Sequence, residues 1–218
     1  MAAWYPILLD LTGKRCVVVG GGPVAERKAN GLLEAGASVC VVSPRLTEGL
    51  HRLASEGRIE WRRREAEETD VQGAALLFAA TSLPEANRAM AEAARKAGGL
   101  ANVADDGESG DFIVPAVVRR GELILAASAS GAGPALAARI AGELAVRYGE
   151  AYSDYASRLR HIRTIVKASV SDRSERRRLL AAAVTEEALE EWRTGDWPVD
   201  SDKLIARLRE RAGESESA

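Results

Sequence analysis

The chain is predicted to be an α/β protein: a parallel sheet flanked by helices, followed by a small α/β segment and a helical C-terminal domain. Three observations predict it. Short apolar runs alternate with helix-like patterns up to about residue 104, the first run stops abruptly at Gly20-Gly21-Gly22, and beyond Gly149 the apolar residues recur at intervals of three and four.

Cys16 to Val19 has the length and β-branching of a buried parallel strand. Pro23 then suits a first helical turn, where a missing N–H is harmless, and Val24, Lys28, Leu32 and Leu33 continue a helix that stops at Gly36. Ser38 to Val42 reads as a second buried strand, completing a βαβ unit. Leu46, Leu50 and Leu53 suggest a helix, and Ile59-Glu60-Trp61 a short strand. Ala75 to Ala80 is another central strand ending at Thr81-Ser82. Pro84 opens a helix running to Lys96 before Gly98-Gly99, and Leu100 to Ala104 is a fifth strand that delivers Asp105. After a polar loop at 106–110, Phe112 to Val118 and Glu122 to Ala127 are expected to be strands joined by a turn at Arg119-Arg120-Gly121. Leu136, Ile140, Leu144 and Tyr148 mark the next helix. Tyr152, Tyr155, Leu159, Ile162 and Val166 form a helix-packing seam, and the tail from Gly213 to Ala218 is expected to be disordered. The expected domains are 1–112, 113–148 and 149–218.

Gly20-x-Gly22-x-x-Ala25, lying between a strand and a helix, fits the dinucleotide-binding fingerprint of a Rossmann-type sheet. The first Gly makes a tight turn, the second lets a pyrophosphate approach the backbone, and the small third residue allows the helix to pack closely. The usual acid for the ribose hydroxyls is absent from the end of the second strand, where Ser43-Pro44-Arg45 stands instead. Arg45 could hold a 2′-phosphate, favouring NADP, or lie over the adenine. Thr81 and Asn102 fall on the carboxyl edge of the sheet, as ligand contacts or as ordinary strand-end caps.

Thirty basic and thirty-two acidic residues leave a net charge of −2, which argues against a generic nucleic-acid or anionic-membrane binder. Two cysteines and two histidines at unusual spacings argue against a structural zinc site, and no metal ligands are assigned. Without a basic, apolar leader or a membrane-length apolar run, the protein is expected to be cytoplasmic. The basic residues are mostly Arg, which either favours fork-shaped recognition of carboxylate or phosphate or reflects codon bias. They are unevenly spread: eight Arg or Lys against Asp172 and Glu175 lie between Arg158 and Arg178. That segment suits a polycarboxylate, or is a solvated helix face balanced by Glu186, Glu187, Glu190 and Glu191.

A hydride donor must also lose a proton, and Asp105 stands where a partly desolvated carboxylate could take it. On the residues alone it is no more marked than the loop acids Asp106 and Asp111.

The order of several motifs is more specific. Gly20-Gly21-Gly22-Pro23-Val24-Ala25-Glu26-Arg27-Lys28, Leu33-Glu34-Ala35-Gly36-Ala37, Ala79-Ala80-Thr81, Asn102-Val103-Ala104-Asp105, Asp111-Phe112-Ile113-Val114-Pro115-Ala116 and Ser128-Ala129-Ser130-Gly131-Ala132-Gly133-Pro134 occur as in precorrin-2 dehydrogenases. From about Tyr5 to Tyr148, and more loosely to Trp192, the chain resembles the dehydrogenase and ferrochelatase module of siroheme synthase. The resemblance implies NAD+-dependent oxidation of precorrin-2 to sirohydrochlorin. It places NAD against Gly20, Gly21, Gly22, Pro23, Val24, Ser43, Pro44 and Arg45, assigns the catalytic aspartate to Asp105, and sets Ser128 and Ser130 at the tetrapyrrole. It also implies a homodimer formed through about 113–148, and in some relatives metal insertion into sirohydrochlorin. Two features depart from the family's pattern. The serine-rich turn has lost hydroxyls at Ala129 and Gly133, and Ser82-Leu83 replaces a frequent acidic pair. The length is expected to leave no room for an appended methyltransferase domain, so that precorrin-2 would arrive from another protein. A rival of another class is a nicotinamide-sensing regulator that sets basic helices on DNA, although no clear helix-turn-helix pattern appears.

Overall fold

A computed structural model describes residues 4–104, 106, 109–130, 133–194 and 200–214. The chain forms two compact units, Met1–Val114 and Pro115–Ala218.

The first unit is a five-stranded parallel sheet in the order β3-β2-β1-β4-β5. Its strands are β1 (Arg15–Val19), β2 (Ser38–Val42), β3 (Glu60–Arg62), β4 (Leu76–Ala79) and β5 (Leu100–Val103), with helices α1 (Pro23–Glu34), α2 (Glu48–Ser55) and α3 (Pro84–Lys96) between them. Val19 lies level with Val42 on one side and Ala79 on the other, so three strands end together around the glycine turn. Reversal of strand order beside β1 opens a crevice at the carboxyl edge, the usual ligand site of such sheets.

Side chains alternate across the pleat, so each strand feeds two cores. Cys16 and Val18 join Ala25, Ala29, Leu32, Leu50 and Phe78 on one face. Val17 and Val19 join Cys40, Leu77, Met90, Ala94 and Val103 on the other. Burying each such valine or leucine stabilises the fold by about 1.5–3 kcal/mol, which is why these runs carry almost no polar residues. The predicted helix around Leu50 starts at Glu48 because the Thr47 hydroxyl caps it, accepting from Leu50 N at 3.3 Å.

The second unit begins with the antiparallel hairpin β6 (Ala116–Arg120) and β7 (Leu123–Ala127), against which α4 (Pro134–Arg147) packs. Helices α5 (Ala151–Ser169), α6 (Arg173–Ala182), α7 (Glu186–Thr194) and α8 (Ser201–Glu214) enclose a separate core of Ile162, Val166, Leu179, Ala188, Leu204 and Leu208.

Three boundaries differ from expectation. The sixth strand starts at Ala116 rather than Phe112, because Phe112 turns its ring edge-to-face onto Phe78 (centroids 5.4 Å apart) and its carbonyl accepts from Asn102. The hairpin turn falls at Gly121-Glu122, with Gly121 in the left-handed region at φ +56°. Gly213 and Glu214 of the expected disordered tail extend α8, and residues 215–218 lie outside the described residues.

Candidate functional site

The glycine turn is built by two close approaches and one opening. Gly20 has φ +117°, and a Cβ there would stand 2.4 Å from the Ala80 carbonyl oxygen at the end of β4. At Gly21 a Cβ would meet the Arg45 carbonyl oxygen at 1.9 Å, beyond the end of β2. Gly20 N donates to Val42 O at 3.0 Å, and Gly21 O accepts from Thr47 N at 2.9 Å, so the turn is stitched to the segments on both sides. A Cβ on Gly22, by contrast, would meet nothing within 4 Å. Gly22 is the N-cap of α1, no side chain caps that helix, and Pro23 fills the first turn. The first-turn N–H groups and the positive end of the helix dipole therefore stand beside a space that admits an anion against the backbone. These residues fit a dinucleotide pyrophosphate.

Ser43 is buried, and its hydroxyl donates to Arg45 O at 2.8 Å while its carbonyl accepts from the Trp61 indole at 2.9 Å. It shapes the segment that Gly21 approaches. Pro44 and Arg45 are exposed, and among the described residues the Arg45 side chain makes no hydrogen bond or ion pair. Its guanidinium is thus available to a ligand at the end of β2. Thr81 is committed to Asn87, a buried residue that sequence inspection missed: the Thr81 hydroxyl donates to Asn87 Oδ1 at 2.7 Å, and Asn87 Nδ2 donates to Thr81 O at 3.1 Å. Asn102 Nδ2 donates to Phe112 O at 2.9 Å. The candidates 20–24, 43–45, 81 and 102 all belong to the carboxyl edge of the first unit. Asp105 falls in that edge by sequence but lies outside the described residues.

Two further features of the first unit were not legible as sites. Lys28 sits half-buried with Nζ 5.4 Å from the centroid of the Phe78 ring, and burial pushes its pKa down from the ordinary value. Asp70 is fully buried and receives Arg62 at 2.7 Å, both amino groups of Arg64 at 2.7 Å and the Glu67 N–H at 2.9 Å. The Arg64 hydrogen bonds, with those of the Glu67 N–H and Arg62, hold its carboxyl well below the usual carboxylate range. Arg15 closes the cluster by donating to the carbonyls of Asp70 and Gln72 at 3.0 and 2.8 Å. With every carboxylate oxygen engaged, this cluster is architecture and not an acid for catalysis.

In the second unit, Ser128 and Ser130 are exposed residues of the turn leading into α4, and Ser130 N donates to Ser128 Oγ at 3.3 Å. Ser130 is a non-glycine residue in the left-handed region, at φ 47°. Such strain concentrates at binding turns. The N-terminus of α4 carries no side-chain cap. Some of the basic residues are spent on carboxylates, Arg160 on Glu122 at 2.7 Å and Arg209 on Glu175 at 2.8 Å. Arg163, Lys167 and Arg177 are exposed. Among the described residues no group of three or more His, Cys, Asp or Glu is arranged to hold a metal ion, and no helix is long and apolar enough to cross a membrane.

A parallel sheet with an open glycine turn at its switch point defines a dinucleotide-binding protein, and residues 7–116 match the family described as "Putative NAD(P)-binding". More specific likenesses extend beyond that unit. A precorrin-2 dehydrogenase of Priestia megaterium is 30% identical over 84% of this chain and 90% of its own length. A siroheme synthase of Aeromonas salmonicida is 39% identical over 82% of this chain but only 39% of its own. The solved structure of SirC, a precorrin-2 dehydrogenase, superposes with a TM-score of 0.74 at 27% identity, covering 95% of this chain and all of that one. The chain belongs to the precorrin-2 dehydrogenase family. It spans about two fifths of the length of the siroheme synthases it matches. These relatives are named as siroheme synthase and precorrin-2 dehydrogenase, and the regulator alternative finds no counterpart among them.

Proposed function

We propose that the chain oxidises precorrin-2 to sirohydrochlorin in the cytoplasm, with NAD as its redox cofactor. The observation that carries this reading is the asymmetry of the glycine turn. Gly20 and Gly21 are closed against backbone, whereas Gly22 is open beside an uncapped helix, in a chain that covers nine tenths of a dehydrogenase relative. NAD+, when bound, accepts a hydride from the substrate. Gly21, Gly22 and Val24 offer N–H groups to the pyrophosphate, Gly20 makes the turn and Pro23 opens the helix beneath it, while Ser43 fixes the segment that carries Pro44 and Arg45 toward the adenosine end. Thr81 and Asn102 shape the edge of the nicotinamide side. Asp105 takes the proton that leaves the macrocycle. Ser128 and Ser130 contact the tetrapyrrole at the mouth of α4, where acidic side groups meet an uncapped helix N-terminus.

A homodimer formed through about 113–148 belongs to the same proposal. It is supported by apolar residues that the second unit leaves uncovered on its hairpin and α4, among them Val117, Leu136, Ile140 and Val146. Purified protein supplied with precorrin-2 and NAD+ is expected to form NADH, followed by absorbance. A rate equal to that without protein would overturn the reading.

A further inference from the structure

The segment that follows β2 is fastened to β3 at one end and to the glycine turn at the other. Ser43 N donates to Arg62 O at 3.1 Å, and Thr47 N donates to Gly21 O at 2.9 Å. Between these points the Arg45 carbonyl stands where Gly21 leaves no room for a Cβ, which puts the Arg45 backbone beside the opening at Gly22. That backbone is fixed, while the exposed Arg45 side chain has no partner among the described residues.

The residue types here bear on which adenosine the edge admits. In a dinucleotide site an acid at the end of the second strand accepts from the ribose 2′-hydroxyl, and the same acid repels a 2′-phosphate. Ser43 stands there instead, 7% exposed, with its hydroxyl turned inward to Arg45 O. Glu60 is spent on Arg62 at 2.7 Å, and Asp70 on Arg62 and Arg64. Glu48 stands in the first turn of α2, where a negative charge complements the helix. A second guanidinium lies close by. Val42 is level with Arg62 across the β2–β3 pair, so Arg63 comes next beside Ser43. Arg63 is exposed, lies 5.6 Å from the centre of the Trp61 ring, and makes no hydrogen bond or ion pair among the described residues. The Trp61 indole in turn donates to Ser43 O at 2.9 Å.

We infer that the end of β2 accepts a 2′-phosphorylated adenosine, with Arg45 recognising the phosphate and Arg63 adding to the positive field, so that the chain uses NADP+ as well as NAD+. The inference rests on the reading of the glycine turn as the pyrophosphate site. An arginine fork meets phosphate oxygens with two N–H groups in fixed geometry, whereas the neutral 2′-hydroxyl of NAD gains little from it. The added phosphate leaves the nicotinamide unchanged. Precorrin-2 gives a hydride to NADP+ and releases a proton, yielding sirohydrochlorin and NADPH.

The first test needs no tetrapyrrole: the full chain is titrated with NADH and with NADPH, followed by nicotinamide fluorescence, at low and at high salt. At low salt NADPH is expected to bind within about tenfold of NADH. Its affinity should fall more steeply as salt rises, because an exposed pairing of phosphate and guanidinium is screened. Arg45→Glu should weaken NADPH at least about 10-fold more than NADH, the worth of a hydrogen bond between charged groups, and should remove the difference in salt dependence. Arg45→Lys, which keeps the charge without the fork, should lose less, and Arg63→Ala should move the same ratio by a smaller factor. NADPH that fails to bind while NADH binds overturns the inference and leaves the proposed function standing. An equal loss for both cofactors in Arg45→Glu also overturns it, since Arg45 would then serve the part they share. If neither cofactor binds, the reading of the glycine turn fails and takes the inference with it. Supplied with precorrin-2, the chain should form NADPH from NADP+, and a chain that forms NADH from NAD+ but no NADPH is not using the phosphorylated cofactor.

Discussion

The two units solve the same packing problem differently. In the first, both faces of the sheet are covered and even the fully buried carboxylate of Asp70 has all its partners at hand. In the second, α5 to α8 close a core of their own, but the hairpin and α4 leave large apolar side chains in solvent, with Val146 86% and Leu136 46% exposed. Covered faces suit a unit whose task is to hold a cofactor at a fixed edge. The uncovered segment has the character of a surface awaiting a partner.

The largest expected effect lies where the first unit is most closed. Asp70→Ala should destabilise it by about 3 kcal/mol, the low end for breaking a buried ion pair, because Arg62 and Arg64 are about a third exposed and can turn to water. The native carboxyl has a depressed pKa, so its contribution is complete above the ordinary carboxylate pKa of about 4 and is lost as the pH falls below it. Asp70→Asn should remove that part of the acid-side slope. Hydrogen exchange resolved by segment is the measurement: protection should fall in β1 and β4 and stay unchanged in α5. An equal loss in both units would mean that they do not differ in the way described.

Next in size are the three glycines, which separate building the turn from binding at it. Gly21→Ala drives a methyl group into backbone and should cost about 1–3 kcal/mol by overpacking. Gly22→Ala adds a methyl group where the fold has room, so its stability should change by less than about 1 kcal/mol. Its effect should appear in NADH affinity, followed by fluorescence titration. Unchanged affinity in Gly22→Ala would remove the pyrophosphate from that opening.

What was legible in the sequence follows from the same contrast. The βαβ unit and the glycine turn could be read because burial on both faces forces continuous apolar runs, and because close backbone approach leaves only Gly at 20 and 21. Asp70 could not be read this way. In sequence it is one acid among Glu65, Glu67 and Glu68 behind three arginines, and only the fold turns that one inward. Asn87 was equally hidden, since a helical polar residue gives no sign of which loop it reaches. The sixth strand was placed too early because Phe112 and Val114 have strand propensity, while the local contacts of Phe112 with Phe78 and Asn102 decide its conformation.

The smallest expected effect on folding belongs to the uncovered segment, and there the absence of an effect is itself informative. Val146, in the last turn of α4, is 86% exposed. Changing it to Asp should alter the stability of an isolated unit by about 0.5 kcal/mol or less, because little of its surface has been removed from water. If two copies cover this segment, the same change places a charge in apolar surroundings at each of the two contacts. Sedimentation should then show the native chain as a dimer and the variant as a monomer at equal concentration. A native monomer, or a variant that sediments as the native dimer does, would leave this side chain as ordinary exposed surface and remove the proposed dimerisation through 113–148.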